Sequence, residues 1–310
     1  MKAILLHAAG GPEQVVFEET PDPVLLPGDA LVRVLASGTT RNELDWEPTY
    51  TDQKGNSRLP SIPGHELCGV VEKLSPGVNG VAVGDEVYAL TSFFRNGTAA
   101  EYIAVEAGVL APKPKTLDAV EAASVPLSAL TAWQALFDHG NLAAGQKVLI
   151  HGAAGGVGLF AVQLARWKGA HVIATASSSS TTLVKSLGAH EVIDYKTQRF
   201  EALVKDADLV LDTIGGGTRQ QSWKVLKRGG ILVSVAGEPI EQPDALPGVK
   251  GVFFIVTAQR LQLIEIGKLI DQGIVKPVIA TVVPIEQARQ AFELGYQPGK
   301  QGKIVLHVQD

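Results

Sequence analysis

The feature that most restricts how this chain can fold is the stretch VLIHGAAGGVGLFAVQLARW, residues 148–167. A β-rich apolar run ends in a cluster of small residues. From Val157 the apolar side chains recur at helical spacing. A second β-rich run, HVIATA, follows at 171–176. Strand, glycine turn, helix and strand in that order imply a parallel sheet with helices lying on it.

The alternation continues. KVLIH, HVIATA, EVID, DLVLDT, GILVSV and GVFFIV read as six strands, with helices expected from Val157, Thr181, Phe200 and Thr218. Only the connection from Glu238 to Val249 reads as loop. Six such strands match a doubly wound dinucleotide-binding sheet of the Rossmann type. The helical stretch DAVEAASVPLSALTAWQALFDHG, interrupted at Pro126, precedes it. Before that, KAILL, VVFEET, ALVRVLA, GVVEKL, DEVYAL and EYIAV are short strands punctuated by glycine and proline, with one long loop at about Thr39 to Ser61. After Thr257 come a helix, the strand KPVIATVVP, a helix and the strand GKIVLHV. The last resembles the N-terminal strands. The expected class is α/β, with a β-rich unit of residues 1–118 completed by 258–310, and a dinucleotide-binding unit at 119–257.

Composition closes off other classes. A net charge of -5 over 310 residues gives no electrostatic case for nucleic acid or an anionic membrane. No run approaches the ~20 apolar residues of a membrane span, and the start MKAILLHAAGG lacks a signal peptide's apolar region and cleavage site. Cys68 is the only cysteine, which excludes an internal disulfide framework and any zinc site built on several thiolates. The expectation is a cytoplasmic protein.

Gly155 and Gly158 take the second and third glycine places of the G-x-G-x-x-G pattern, with Ala153 in the first. Gly155 would let backbone approach a pyrophosphate, Gly158 would let the helix pack close to the strand, and the helix N-terminus would offer N–H groups to phosphate. An acidic residue normally closes the second strand and holds the adenosine ribose. Here Ser177, Ser178, Ser179 and Ser180 follow instead, with no acid between Thr175 and Leu187 and Lys185 as the nearest cation. A carboxylate would repel a 2′-phosphate, whereas hydroxyls can donate to it, so the pattern favours NADPH over NADH. Ser179 and Ser180 are expected to cap the following helix.

MKAILLHAAGGPE, PGDALVRV, PGHELCGVV, GVAVGDEVYAL, PLSALTAWQAL, VLIHGAAGGVGLFAVQLA, SLGAHEVIDY and QGKIVLHV occur in this order along the whole chain. Together they resemble the medium-chain dehydrogenase/reductase superfamily, and within it the zinc-independent, zeta-crystallin-like branch of quinone oxidoreductases. The resemblance implies a GroES-like β-rich catalytic domain, a Rossmann domain, a cleft between them and a homodimer. It implies that Thr131 contacts the nicotinamide end, that Ala154, Gly155, Gly156, Val157 and Gly158 lie at the pyrophosphate, and that Ser177, Ser178 and Tyr195 lie near the 2′-phosphate. It further implies that the backbone of Phe253, Phe254 and Ile255 reaches the carboxamide, and that Lys300 and Lys303 face cofactor phosphate.

Zinc-dependent members hold the metal through a histidine and two further ligands. His65 matches the histidine, but Gly38 and Thr39 stand in the cysteine region and Ser124 to Ser128 offer no thiolate or carboxylate, so no metal is expected. His65 reads as a hydrogen-bonding histidine at a turn and Cys68 as a small core residue. Without a metal, the chemistry left is hydride delivery to an activated acceptor, a quinone or an α,β-unsaturated carbonyl, with donors stabilising the oxyanion that forms. Asn42, Trp46 and Tyr50 are the candidates. Asp45 is read as structural, because a carboxylate beside an oxyanion is unfavourable unless protonated or turned away. Arg260 could supply positive charge if its helix faces the cleft, and would otherwise pair on the surface. Two alternatives stay open: an enoyl-thioester reductase, using Arg41, Lys54 and Arg58 as a basic surface, and a cofactor-binding module with little turnover.

Overall fold

The structure is a computed structural model that describes residues 1–237 and 248–310. Its parallel sheet has six strands in the order Glu191–Asp194, His171–Ala176, Lys147–Ile150, Ala207–Asp212, Leu226–Ser234 and Lys250–Phe253. Every neighbouring pair is parallel. The chain builds outward from Lys147–Ile150 in one direction, then returns to that strand's other side with Ala207–Asp212. The loops at the C-terminal ends of these two strands therefore diverge and leave a crevice. The expected loop at 238–249 lies outside the described residues apart from 248 and 249.

The other large sheet has seven strands. Along its main path run Ile279–Pro284, Lys303–His307, Asp29–Thr39, Glu66–Leu74, Glu86–Leu90 and Ala111–Pro112, and Tyr102–Glu106 pairs with Asp29–Thr39 beside Lys303–His307. The C-terminal strand pairs antiparallel with Asp29–Thr39, setting Ile304 opposite Thr39 and Val305 opposite Gly38. The expected long loop carries two short 3-10 turns, Glu43–Asp45 and Glu47–Thr49.

The helix Pro126–Trp133 joins the two sheets. Pro126 sits at its first turn, where the missing N–H costs nothing. Pro126 to Ala132 are all buried. The run then widens into π turns over Gln134–His139, a change of pitch that the helical pattern did not signal. One apolar cluster includes Ala36, Cys68 and Tyr88 from the antiparallel sheet, Val148 and Leu209 from the parallel sheet, and Ile266 from the helix Arg260–Asp271. The Tyr88 hydroxyl crosses it, donating to the carbonyl of Leu263 at 2.5 Å. No described helix is long and apolar enough to cross a membrane.

Candidate active site

A cleft of about 1460 Å³ opens at the crevice of the parallel sheet and runs to the loop after Thr39. His151 and Gly152 follow the first parallel strand and line it, as do Thr213 and Ile214 after the fourth. Gly152 has φ +65°, which lets the chain turn sharply, and its carbonyl accepts from Gly155 N at 2.9 Å. Gly155 is the N-cap of the helix Gly156–Trp167. A Cβ at Gly158 would collide with the Gly152 carbonyl and the Ala153 backbone, so this glycine lets the helix approach the strand. At Gly155 a Cβ would meet only the Gly152 oxygen, at 3.3 Å. Ala154, Gly155, Gly156, Val157 and Gly158 all line the cleft. The arrangement fits a cofactor diphosphate: backbone without side chains, at the positive end of a helix.

At the adenosine end, Ser177 and Tyr195 line the cleft. Ser178 does not; it is exposed at the start of a one-turn 3-10 segment, and Ser180 lines the wall in its place. The expected capping is also absent, since Ser180 makes no side-chain cap for the helix Thr181–Ser186. The Ser180 hydroxyl lies 3.1 Å from Gln301 Nε2, which also donates to the Ser179 carbonyl. Lys185 is exposed and lies off the wall. The cations lining the cleft are Arg41, Arg199, Lys300 and Lys303. Arg199, four residues after Tyr195, was not singled out from the sequence, although its proximity to VIDY was a usable signal. Lys300 donates to the carbonyl of Gly295 at 2.6 Å, and burial, with Arg41 and Lys303 nearby, pushes its ammonium down to about 8.

Lys303 departs from expectation. It lines the cleft and its stem packs on Gly156, but its Nζ is engaged by protein groups. It forms an ion pair with Glu66 Oε1 at 2.6 Å and donates to the carbonyl of Thr39 at 2.7 Å. A buried carboxylate takes the ammonium because an unpaired charge there would carry a large desolvation cost.

At the opposite end, Thr131 lines the cleft with its hydroxyl donating to the Leu127 carbonyl at 2.6 Å, and Phe253, Phe254 and Ile255 line it opposite. Gln134 fastens this last segment: its Nε2 donates to the Thr257 carbonyl and its Oε1 accepts from Thr257 N. Asn42 lines the cleft in the left-handed region at φ 62°. Trp46 lines it as part of an aromatic wall, stacked on His65 at 5.8 Å and edge-on to Phe93 at 5.9 Å. Tyr50 does not line the cleft. Its hydroxyl donates to the Leu44 carbonyl at 2.7 Å and reaches the Gly10 carbonyl at 3.1 Å, which pins the loop and removes it as a donor. Asp45 lines the cleft and accepts from the Tyr296 hydroxyl at 3.0 Å. Arg260 faces elsewhere, bonded to the carbonyls of Leu110 and Gly80. Arg58 donates to the carbonyls of Pro48, Thr49 and Thr51, so it braces the loop and adds nothing to a basic surface.

His65 differs from the expected hydrogen-bonding turn residue. It is buried, neither ring nitrogen has a hydrogen-bond partner, and it packs against both Trp46 and Phe93. Burial holds its pKa down at about 3, so the ring is neutral. Among the described residues no group of three or more His, Cys, Asp or Glu side chains could hold a metal. The donors around His65 do not fit a zinc ion. Cys68 is buried, and burial pushes its thiol up to about 12, as for a small core residue.

Residues 26–115 match the family model described as alcohol dehydrogenase GroES-like domain, and residues 187–306 match that described as zinc-binding dehydrogenase. The chain is 34% identical to the chloroplastic NADPH-dependent alkenal/one oxidoreductase of Arabidopsis thaliana, over 99% of this chain and 79% of that protein. It is 31% identical to the quinone oxidoreductase of Rattus norvegicus, over 99% and 97%. The solved quinone oxidoreductase from Coxiella burnetii superposes with a TM-score of 0.89 at 30% identity, covering 100% of this chain and 99% of that one. With the glycine turn, the six-stranded sheet and the cleft in the same chain, the conclusion is that it belongs to the medium-chain dehydrogenase/reductase superfamily, in its zinc-independent quinone oxidoreductase branch, and is an oxidoreductase that uses a nicotinamide cofactor.

Proposed function

We propose that the protein reduces a quinone or an α,β-unsaturated carbonyl with NADPH. The observation that carries this reading is a single cleft with a hydroxyl- and cation-lined adenosine end, a glycine cradle in the middle and an aromatic wall at the far end. Bound nicotinamide supplies the hydride. The protein's part is to bind, orient and exclude water. Ser177, with Tyr195 and Arg199, receives the 2′-phosphate, Lys300 serves cofactor phosphate, and the missing acid after the second parallel strand removes the repulsion that would disfavour the 2′-phosphate. The first turn of the helix Gly156–Trp167 faces the diphosphate. Thr131 and the backbone of Phe253 to Ile255 place the nicotinamide end.

The acceptor lies against Trp46 and Phe93, which offer flat apolar surface. With Tyr50 engaged elsewhere, Asn42 is the side chain of the long loop placed to donate to the oxygen that gains charge. The proton completing the reduction comes from solvent. The relatives' names, an alkenal/one oxidoreductase and quinone oxidoreductases, support this acceptor class. Loss of Arg58 from the loop surface weakens the thioester alternative. We further propose a homodimer paired through the sheet-edge strand Lys250–Phe253, in the cytoplasm, where the lone thiol of Cys68 stays reduced.

The test is a panel of quinones, enones and enoyl thioesters assayed with NADPH and NADH. Saturable NADPH oxidation with a quinone or enone is expected. Binding without turnover would favour the cofactor-binding module.

A further inference from the structure

Two buried carboxylates lie behind the wall of the cleft beside the buried ammonium of Lys303, which lines it, and the residues they hold belong to that wall. Glu43, Glu66 and Lys303 are 1%, 0% and 6% exposed. Glu43 accepts from Thr40 N at 2.7 Å and from Gly64 N at 3.1 Å. Glu66 Oε2 accepts from Leu127 N at 2.8 Å, in the first turn of the helix that carries Thr131. Its Oε1 faces Lys303 Nζ at 2.6 Å as an ion pair without hydrogen-bond alignment. Lys303 Nζ also reaches the Thr39 carbonyl and, at 3.5 Å, the Thr40 hydroxyl. Thr39, Thr40 and Leu127 all line the cleft. Room for the cluster is built in: a Cβ at Gly38 would come within 2.5 Å of Glu66 Oε1.

With both carboxylates ionised, the cluster carries one uncompensated negative charge, shielded from water. The other cations lining the cleft, Arg41, Arg199 and Lys300, stand where solvent reaches them, Arg41 and Arg199 exposed and Lys300 half-buried. The reduced nicotinamide ring is neutral and the oxidised ring is positive. A fixed negative charge behind the ring therefore favours the oxidised form and the loss of hydride, at low dielectric and without reorganisation.

We propose that Glu43 and Glu66, held by Lys303, form a buried charge that stabilises the oxidised nicotinamide and so promotes hydride donation. The inference rests on the cofactor reading above. The three groups come from separate parts of the chain, and the Glu43 carboxylate also holds the backbone of Thr40 and Gly64. Its carboxyl is pushed up to about 7, chiefly by burial, with Glu66 adding to the rise and Lys303, Thr40 N and Gly64 N opposing it. The charge is therefore developed fully only on the alkaline side of neutral.

The experiment is equilibrium binding of NADP+ and of NADPH to the intact protein and to Glu43→Gln, at about pH 8.5, where the carboxyl is ionised. At an effective dielectric of ~20, one unit charge acting across ~10 Å shifts the ratio of the two dissociation constants by about fivefold to fifteenfold. The expected result is that Glu43→Gln weakens NADP+ relative to NADPH by about that factor, and that single-turnover hydride transfer slows in parallel. Glu66→Gln keeps the shape and removes the same charge; if Glu43→Gln does not fold, Glu66→Gln must show the same change in ratio. A purely structural role would weaken both forms together and leave the ratio unmoved, which overturns the proposal. If the wild-type protein binds neither form, the cofactor reading fails and the inference falls with it. Binding of both forms with an unmoved ratio refutes the inference alone.

Discussion

Replacing Ser177 by Asp tests the adenosine end most sharply. The Ser177 hydroxyl is part-buried, 2.9 Å from the Ser179 hydroxyl and 3.3 Å from that of Ser180, so a side chain here has a defined direction along the wall. A 2′-phosphate near neutral pH carries about 1.5 to 2 negative charges. A carboxylate ~5 Å away repels it by roughly 1.5 kcal/mol in bulk water and by about 5 kcal/mol at the effective dielectric of a partly buried site. The lost hydroxyl donation adds about 1.5 kcal/mol. Arg199 softens the repulsion without removing it. Ser177→Asp should therefore weaken NADPH by at least a hundredfold, while NADH, which offers ribose hydroxyls to the new acceptor, is unchanged or tighter. The assay is fluorescence titration of both cofactors, with the kcat/KM ratio as a second reading. Raising the salt should shrink the effect, because the interaction is Coulombic. Absence of NADPH preference in the wild type, or an unmoved ratio in the variant, would refute the assignment.

Gly155→Val should leave the circular dichroism spectrum intact, since a Cβ there meets only the Gly152 oxygen, and should lower NADPH affinity at least tenfold by placing methyl groups where the diphosphate lies; equal affinity would show that the turn binds nothing. Lys300 is ionised below about 8 and neutral above it, so NADPH affinity should fall as pH rises from about 7 to 9.5, and the slope should flatten in Lys300→Met. A slope of the same size in Lys300→Met would remove Lys300 from the phosphate site. Dialysis against a strong chelator should leave turnover unchanged, because the groups around His65 do not make a zinc site; loss of activity restored by zinc alone would overturn that reading.

The glycine turn and the parallel sheet were legible because their signals are local. Each strand and its following helix carry their own periodicity, and Gly155 and Gly158 sit within four residues of each other. Trp46 and Asn42 were legible only as members of a loop. Tyr50, equally attractive by chemistry, turned out to hold the backbone of that loop, and no spacing rule separates the two cases. Lys303 was misread because its partner is set by register. It stands 264 residues from Thr39, and only the pairing of Ile304 with Thr39 brings its ammonium to Glu66. Glu43 and Glu66 were passed over for the same reason: charges in a loop and a strand read as solvated until the fold buries them.

The pairing of Lys303–His307 with Asp29–Thr39 bears on the order in which the molecule assembles. During synthesis the six parallel strands all emerge before residue 303, and each can find its neighbours within its own stretch of chain. The strand Asp29–Thr39 is made far earlier, yet one edge near Thr39 stays open until the C-terminal strand leaves the ribosome. Closing that edge joins residues 264 apart in the sequence, the kind of non-local contact whose loop-closure entropy must be met before it is rewarded. Glu66 and Glu43 wait for the same event, since their ammonium arrives with it. A nascent chain stopped before Lys303 should therefore hold an assembled dinucleotide-binding sheet beside an exposed β edge with two uncompensated acids, a species that a chaperone would retain and a protease would cut first.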